Sequence, residues 1–383
     1  MKSTSCVRSL QRMNEGGHQA DEEYGMQQPA LPHRMGSVNR LTLLLCLSIG
    51  MIITVLAIPP QPAQAAQRAG VDTIILVHGF EINSQVDCLA YWGSTLDYLR
   101  KSHSINGQSL RWGRQDFRTV QYYNNPGDSH CGRNDGTNTY TDANENLHNA
   151  KYTQHCAGYA QAGADGTNNE SLYHVSCLLA WYISLNFGSH PSWNVEIVAH
   201  SMGGLVVRNA IYQVQQSKAT WTMPSTLGHI SDVVTLATPH GGVLFANYLN
   251  YMQTREMAPS SSFMNEMYTQ AQSPQAGTTD WTILGSKCDE VIGNVDPGTA
   301  VYMSGAHQVM FNPTFKSYVQ APCYSHSAIT QDENDTVDAT IFYCEFCAVP
   351  PAGQSINWAS WRESDSSPRS LLHMMHALWL STW

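Results

Sequence analysis

One short segment constrains the fold of this 383-residue chain more than any other. Residues 194–216 read NVEIVAHSMGGLVVRNAIYQVQQ, whose first half is typical of a buried strand and whose second half has the spacing of a helix. Ser201 lies between the two halves, so the backbone must turn sharply there. Such a turn requires small residues two positions away on each side, and Ala199 and Gly203 meet this requirement. The sequence therefore predicts a strained serine whose hydroxyl is pushed out of the turn.

The rest of the chain repeats this alternation of apolar strands with helices. Strands ending in loops alternate with amphipathic segments, which predicts an α/β fold with a mainly parallel sheet. A further helix is expected at about 335–347, before a tail rich in Pro, Gly and Ser. The other expected strands are 71–80, 117–123, 232–242 and 281–286, and the other expected helices are 89–101 and 172–187.

A serine hydroxyl becomes a useful nucleophile only beside a base that a third group holds in place. On a strand–turn–helix element of this kind, the acid and then the base follow the serine along the chain. Asp289 lies just past strand 281–286 and is the preferred acid, with Asp296 and Glu290 as alternatives. His326, in a polar loop, is the preferred base, and the alternatives are His307, His373 and His376.

An acyl-transfer site also needs two backbone N–H groups aimed at the developing oxyanion. The first donor is expected from Met202, directly after the serine. The second is expected from Phe80, because Gly79 allows the backbone to approach closely. His78 and His240 precede the acid in the chain, so we expect them to shape loops near the pocket rather than act as the base.

These motifs resemble those of the α/β-hydrolase superfamily, especially secreted bacterial triacylglycerol lipases and esterases related to the GPI-inositol-deacylase-like group. The resemblance covers about residues 71–347, and its carrying segments are ILVHGF, VEIVAHSMGGLVVR, VVTLATPHGG, SSFMNEM, WTILGSKCDEV and YSHSAIT. It implies Ser201, Asp289 and His326 as the catalytic residues, with Phe80 and Met202 forming the oxyanion hole. It also implies a lid in the segment after TPHGG.

Composition narrows the function classes. The net charge of −10 excludes a basic nucleic-acid-binding surface as the main function. The low charged fraction of 13% favours neutral, lipid-like esters, encountered either as small molecules or at a lipid interface. The expected reaction is ester hydrolysis, which needs no metal, cofactor or obligate protein partner. An acyltransferase or thioesterase with the same residues, and a catalytically silent binding module, are the alternatives.

The N-terminal region predicts export. Residues 41–58 form an uncharged apolar run that follows basic residues and precedes Ala63-Gln64-Ala65, a pattern typical of signal-peptidase cleavage. The protein is therefore expected to be secreted, and a retained membrane anchor at 41–58 is the alternative. Eight cysteines follow this site, which favours disulfides in an oxidising compartment, including a Cys288–Cys323 bond.

The expected organisation has three parts. Residues 1–65 form the extension and signal segment, residues 66–347 the catalytic domain, and residues 348–383 a C-terminal extension. Within the domain, 124–169 is expected to be a disulfide-stapled surface insertion, and 243–280 the lid. Four methionines of the lid segment could line an adaptable acyl pocket or simply pack in the core; they are Met252, Met257, Met264 and Met267.

Overall fold

The structure is a computed structural model. The chain divides into two units, Met1–Ala66 and Gln67–Trp383, and all of the described residues belong to the second. Among the described residues, no helix is both long and apolar enough to cross a membrane. The predicted signal segment lies outside them. The described residues are 72–101, 103–105, 108–110, 116–124, 130–134, 145–159, 165–190, 192–216, 223–243, 249–270, 279–286, 288–292, 307–312, 315–316, 319–320, 324–331, 338–344 and 358–363.

Strands and helices alternate through most of this unit, as the sequence predicts. In chain order the elements are β1 Asp72–Val77, α1 Cys88–Arg100, β2 His103–Ile105, β3 Gln108–Leu110, β4 Asp116–Val120, β5 Gly132–Asn134, α2 Ala150–Thr153, α3 Leu172–Phe187, β6 Asn194–His200, α4 Met202–Gln216, β7 His229–Leu236, α5 Met252–Glu256, α6 Ser262–Gln270, β8 Asp280–Ser286, β9 His307–Asn312, β10 Phe315–Lys316, β11 Val319–Gln320, β12 Asp338–Cys344 and β13 Trp358–Glu363. Short 3₁₀ turns occur at Ala157–Tyr159 and Ala328–Thr330.

Nine of these strands form one sheet in the order β13-β12-β9-β8-β7-β6-β1-β4-β5. The six strands from β9 to β4 are parallel, and β12, β13 and β5 are antiparallel additions at the two edges. Parallel strands all end at the same edge of a sheet, so the loops after β1, β6, β7 and β8 lie close together. The predicted α/β class is confirmed.

The sheet is buried on both faces, which explains why its strands read as continuous apolar runs. In β1, Ile75 and Val77 pack on one face with α3 and α4, whereas Ile74 and Leu76 pack on the other face with α1. Helix α3 packs against α4 and is buried around most of its circumference, so its sequence is apolar on nearly every side. Helix α4 begins directly after the predicted nucleophile turn. It is therefore held between the sheet on one side and α3 on the other.

The C-terminal part differs from the sequence expectation. The helix expected at about 335–347 is wrong, because Asp338–Cys344 forms strand β12 between β9 and β13. The segment DATIFYC is rich in β-branched and aromatic residues, which pack well on a pleated surface. Strand β13 lies inside the segment expected to be an extension, yet it pairs antiparallel with β12 at the sheet edge.

The insertion between β4 and α3 is stapled, as predicted, but it is not confined to the surface. Disulfides join Cys88 to Cys131 and Cys156 to Cys177. Leu147 and Tyr152 are completely buried in the main core. Apolar residues were few in this segment, so their burial was not apparent from composition.

Cys288 is also disulfide-bonded. Its predicted partner, Cys323, lies outside the described residues, so that pairing stays a prediction.

Candidate active site

Ser201 occupies the strained turn that the sequence predicts. Its φ is +54°, in the left-handed region that non-glycine residues rarely adopt. Its backbone N–H donates to the carbonyl of Leu236 at the end of the adjacent strand, at 2.8 Å. A Cβ at Gly203 would lie 2.3 Å from the carbonyl oxygen of His78, so only glycine fits there. The turn is thus fixed by close packing against the end of β1.

His326 and Asp289 are brought to this serine from two different loops. Nε2 of His326 lies 2.8 Å from Oγ of Ser201, and Nδ1 lies 2.8 Å from Oδ2 of Asp289. The other carboxylate oxygen, Oδ1, accepts the backbone N–H groups of Val291 and Ile292, each at 2.9 Å. These bonds fix the orientation of a carboxylate that is only 3% exposed.

The alternative residues take other places. Glu290 does not contact the imidazole, but its carboxylate accepts the backbone N–H of His326 at 3.0 Å. His307 begins strand β9, beside β8. The remaining alternatives, Asp296, His373 and His376, lie outside the described residues.

The loop after β1 passes directly beside the serine. A Cβ at Gly79 would come within 2.7 Å of the Ser201 Cβ, so glycine permits this approach. The Tyr122 hydroxyl lies 2.6 Å and 2.7 Å from the carbonyl oxygens of His78 and Gly79. Because a trans peptide places C=O and N–H on opposite sides, the Phe80 N–H points away from Tyr122. Within the described part of the chain, no hydrogen-bond acceptor contacts the backbone N–H of Phe80 or Met202.

A hydrogen-bonded chain that sequence reasoning missed connects this loop to the backbone of His326. The N–H of Gly79 donates to the Tyr91 hydroxyl at 3.0 Å, and that hydroxyl contacts Nδ1 of His200. Nε2 of His200 lies 2.8 Å from the carbonyl oxygen of His326. Because a carbonyl only accepts, Nε2 carries the proton and Nδ1 accepts from Tyr91. The position of His200 directly before the serine was the only sequence signal of this role.

Burial keeps the imidazoles of His78 and His200 neutral. Desolvation, together with the nearby charge of His326, lowers the pKa of His200 to about 3. Desolvation also lowers the pKa of His78 to about 4, and its ring stacks on Tyr122 with centroids 3.9 Å apart. His240 was expected near the pocket, but it is completely buried and does not line the cavity. Its pKa is lowered well below 6.5 by desolvation and by Arg208.

A cavity of about 360 Å³ borders Ser201 and His326. This size lies within the usual range for small-molecule sites. Among the described residues, no lysine or arginine lines it, and its only carboxylates belong to Glu81 and Asp87. The lining residues are Phe80, Glu81, Gln85, Val86, Asp87, Ala90, Tyr91, His200, Ser201, His326, Ser327, Thr330 and Gln331.

The predicted lid segment contributes none of its described residues to the cavity wall. Met257, Met264 and Met267 pack in the main core, which favours the core-packing alternative for these methionines. The ring of Tyr251, in this segment, lies 5.9 Å from that of Phe80, which lines the cavity.

Residues 179–280, which include the Ser201 turn, match the family model described as "Putative serine esterase (DUF676)". This match and the strand order decide the superfamily. The chain is an α/β-hydrolase. A search of curated protein sequences found no significant match to this hydrolase.

Solved structures with similar chains include three hydrolases of low identity. Phospholipase PlaB from Legionella pneumophila is 12% identical, with 60% of this chain and 41% of PlaB covered and a TM-score of 0.35. A "putative cell surface hydrolase" from Lactobacillus plantarum WCFS1 is 12% identical, with coverages of 66% and 84% and a TM-score of 0.36. Esterase Pf2001 from Pyrococcus furiosus is 11% identical, with coverages of 69% and 76% and a TM-score of 0.30.

The hydrolase spans less than half the length of PlaB. Because TM-scores below 0.5 do not establish a shared fold, the fold assignment depends on the strand order and the serine turn.

Replacing Tyr91 with Phe should loosen the site without unfolding the hydrolase. The change leaves the Gly79 N–H without an acceptor and His200 Nδ1 without a donor, which should lower the free energy of unfolding by ~1–3 kcal/mol. We also expect about tenfold slower labelling of Ser201 by a fluorophosphonate, because the loop after β1, which passes beside the serine, loses this anchor. Tyr251→Phe is the matched control, since its hydroxyl makes no hydrogen bond to the described residues. Equal labelling rates for the two variants would contradict the role of Tyr91.

Acid should destabilise the hydrolase through its buried neutral histidines. In the unfolded chain these imidazoles take up a proton near pH 6.5. In the folded protein His78 stays neutral down to about pH 4, and His200 down to about pH 3. Their contribution is fully present above pH 6.5 and is lost as the pH falls, at ~1.4 kcal/mol per pH unit for each group. Glu256 acts in the opposite direction, because desolvation raises its pKa to about 7.

Comparing variants separates the contribution of a buried histidine to the pH dependence of stability from that of Glu256. Below pH 6, the slope of unfolding free energy against pH should be shallower by ~1 kcal/mol per unit in His240→Gln than in the parent protein. The exposed His229→Gln is the control and should keep the parent slope. Urea denaturation at several pH values measures all three slopes, and equal slopes would refute the neutral state of His240.

Proposed function

We propose that this α/β-hydrolase cleaves carboxylic esters through a covalent acyl-enzyme, with Ser201 as nucleophile, His326 as base and Asp289 as the orienting acid. The observation that carries the proposal is the continuous hydrogen-bonded chain from the Ser201 hydroxyl through the imidazole to the buried carboxylate. The match of residues 179–280 to a serine esterase family supports the same reaction class.

The geometry suits each proton transfer. Because the Asp289 carboxylate only accepts, Nδ1 of His326 carries the ring proton and Nε2 is free to take the proton of Ser201. The serine oxygen then attacks the ester carbonyl, and the N–H groups of Phe80 and Met202 receive the oxyanion. The imidazolium gives its proton to the leaving alcohol. Water, activated by the same imidazole, then attacks the acyl-enzyme, which releases the acid and restores Ser201. Asp289 stabilises the imidazolium throughout.

The cavity favours an uncharged substrate. Its carboxylates would repel anionic esters, and among the described lining residues no cationic side chain would attract them. Phe80, Val86 and Tyr91 provide apolar surface for an acyl chain. We therefore propose neutral, lipid-like esters as substrates, hydrolysed rather than transferred to another alcohol.

The test compares purified variants on p-nitrophenyl butyrate. Ser201→Ala should lose at least ~10⁴-fold in kcat, and Asp289→Asn should lose ~10⁴-fold because the wrong imidazole tautomer is favoured. Asp97→Asn, on the exposed face of α1, is the matched control and should keep the parent rate. Retained turnover in Ser201→Ala would refute the nucleophile. Formation of a new ester when an alcohol is added would instead indicate an acyltransferase.

We also propose that the protein is exported and cleaved after Ala65. Two disulfides join distant parts of the domain, and such bonds persist in oxidising compartments. Intact-mass analysis of the secreted protein should give Ala66 as the first residue. A membrane-bound product that retains residues 41–58 would support the anchor alternative.

A further inference from the structure

Three potential metal-ligating side chains converge just before and within the first turn of α3, none of them lining the cavity beside Ser201. They belong to Asp165, Glu170 and His174, and one ligand atom from each lies within 4.8 Å of the other two. Nδ1 of His174 lies 2.6 Å from Oε1 of Glu170 and 3.8 Å from Oδ1 of Asp165. The ester-hydrolysis chemistry uses none of these groups.

The atoms that face each other lack hydrogen bonds. Oδ1 of Asp165, Oε1 of Glu170 and both ring nitrogens of His174 are buried without a hydrogen-bond partner among the described residues. Glu170 and His174 are each only 1% exposed. The 2.6 Å contact between Nδ1 of His174 and Oε1 of Glu170 becomes an ion pair when the imidazole is protonated, but it does not have hydrogen-bond geometry. Burying polar atoms in this state costs ~1–3 kcal/mol each, a cost that a shared cation would relieve.

The second oxygen of Glu170 is held by separate donors. Its Oε2 lies 2.9 Å from Nε2 of His148 and accepts the backbone N–H of Gly166 at 2.9 Å. Nε2 of His148 also lies 2.9 Å from the carbonyl oxygen of Tyr122. Carboxylates held in this way are typical metal ligands. The hydrogen-bond donors around the carboxylate fix the direction in which its free oxygen points. Oε1 is thereby left directed at Asp165 and His174.

We propose that Asp165, Glu170 and His174 form a binding site for a divalent transition-metal ion of the zinc type. One imidazole nitrogen with two carboxylate oxygens suits zinc, whereas calcium and magnesium prefer oxygen ligands alone. The Asp165 side chain is 40% exposed, so an ion can enter from solvent and a water molecule can complete the coordination.

The site would act as a structural clip. It joins the insertion that carries Asp165 to the start of α3, and α3 packs against the helix that follows Ser201. One turn further along α3, Cys177 is bonded to Cys156 of the same insertion. The ion and the disulfide would together hold this segment on the domain. Since a ligand that binds only the folded state stabilises it, zinc should raise the melting temperature.

The experiment uses the full secreted protein, stripped of metal with a chelator and then dialysed. Zn²⁺ is titrated by calorimetry, and the melting temperature is measured with and without one equivalent of Zn²⁺. The parent protein should bind one ion and melt at a higher temperature when it is bound. Co²⁺ should give visible absorption bands that report direct coordination. Ester hydrolysis is not a readout, so this test is independent of the proposed function.

Two variants locate the ion. Asp165→Asn should weaken Zn²⁺ binding at least tenfold and abolish the rise in melting temperature, while folding normally because its side chain is partly exposed. Asp97→Asn removes a carboxylate far along the chain and should bind like the parent protein. Absence of stoichiometric binding to the parent protein would overturn the proposal, as would equal affinities for the two variants.

Discussion

The candidate site depends on a single strained residue. A non-glycine residue in the left-handed region costs ~1–2 kcal/mol, and Ser201 maintains this conformation because packing leaves no alternative. Its N–H is bonded to Leu236, and Gly203 packs against the carbonyl at the end of β1. The strain places Oγ at the sheet edge, where the loops of the neighbouring strands can reach it. Without this turn, the other residues of the site would have nothing to converge on.

Convergence follows from the parallel sheet. Strands β1, β6 and β8 end at the same edge, so Gly79, Ser201 and Asp289 arrive there from distant parts of the chain. His326 comes from a later loop, and both its backbone N–H and its backbone carbonyl make hydrogen bonds. Its carbonyl oxygen contacts His200 and its N–H donates to Glu290. The proposed base is thus aligned by contacts to its main chain, while its ring contacts Ser201 and Asp289.

Much of this arrangement could be predicted from the sequence, for identifiable reasons. The turn at Ser201 has strict steric requirements that only a few residue types meet, so AHSMGG carries a strong local signal. Asp289 could be ranked first because it directly follows a clear strand, and the structure places its carboxylate beside His326. Tyr91 could not be found in this way. Its hydroxyl contacts His200, 109 positions away, and no local pattern encodes such a contact.

The sequence by itself determined the elements with strong short-range signals: the parallel strands, the strained serine turn and the small residues that allow it. These follow from side-chain periodicity and backbone sterics, which act over a few residues. Only the tertiary structure decided which polar groups meet. The strand at 338–344, expected as a helix, forms where two neighbouring strands offer backbone hydrogen bonds. Likewise, Glu170 and His174 are only four positions apart in the sequence, but their burial and the contact of Glu170 with His148 arise only in the folded domain, because desolvation and hydrogen bonding depend on neighbours that folding supplies.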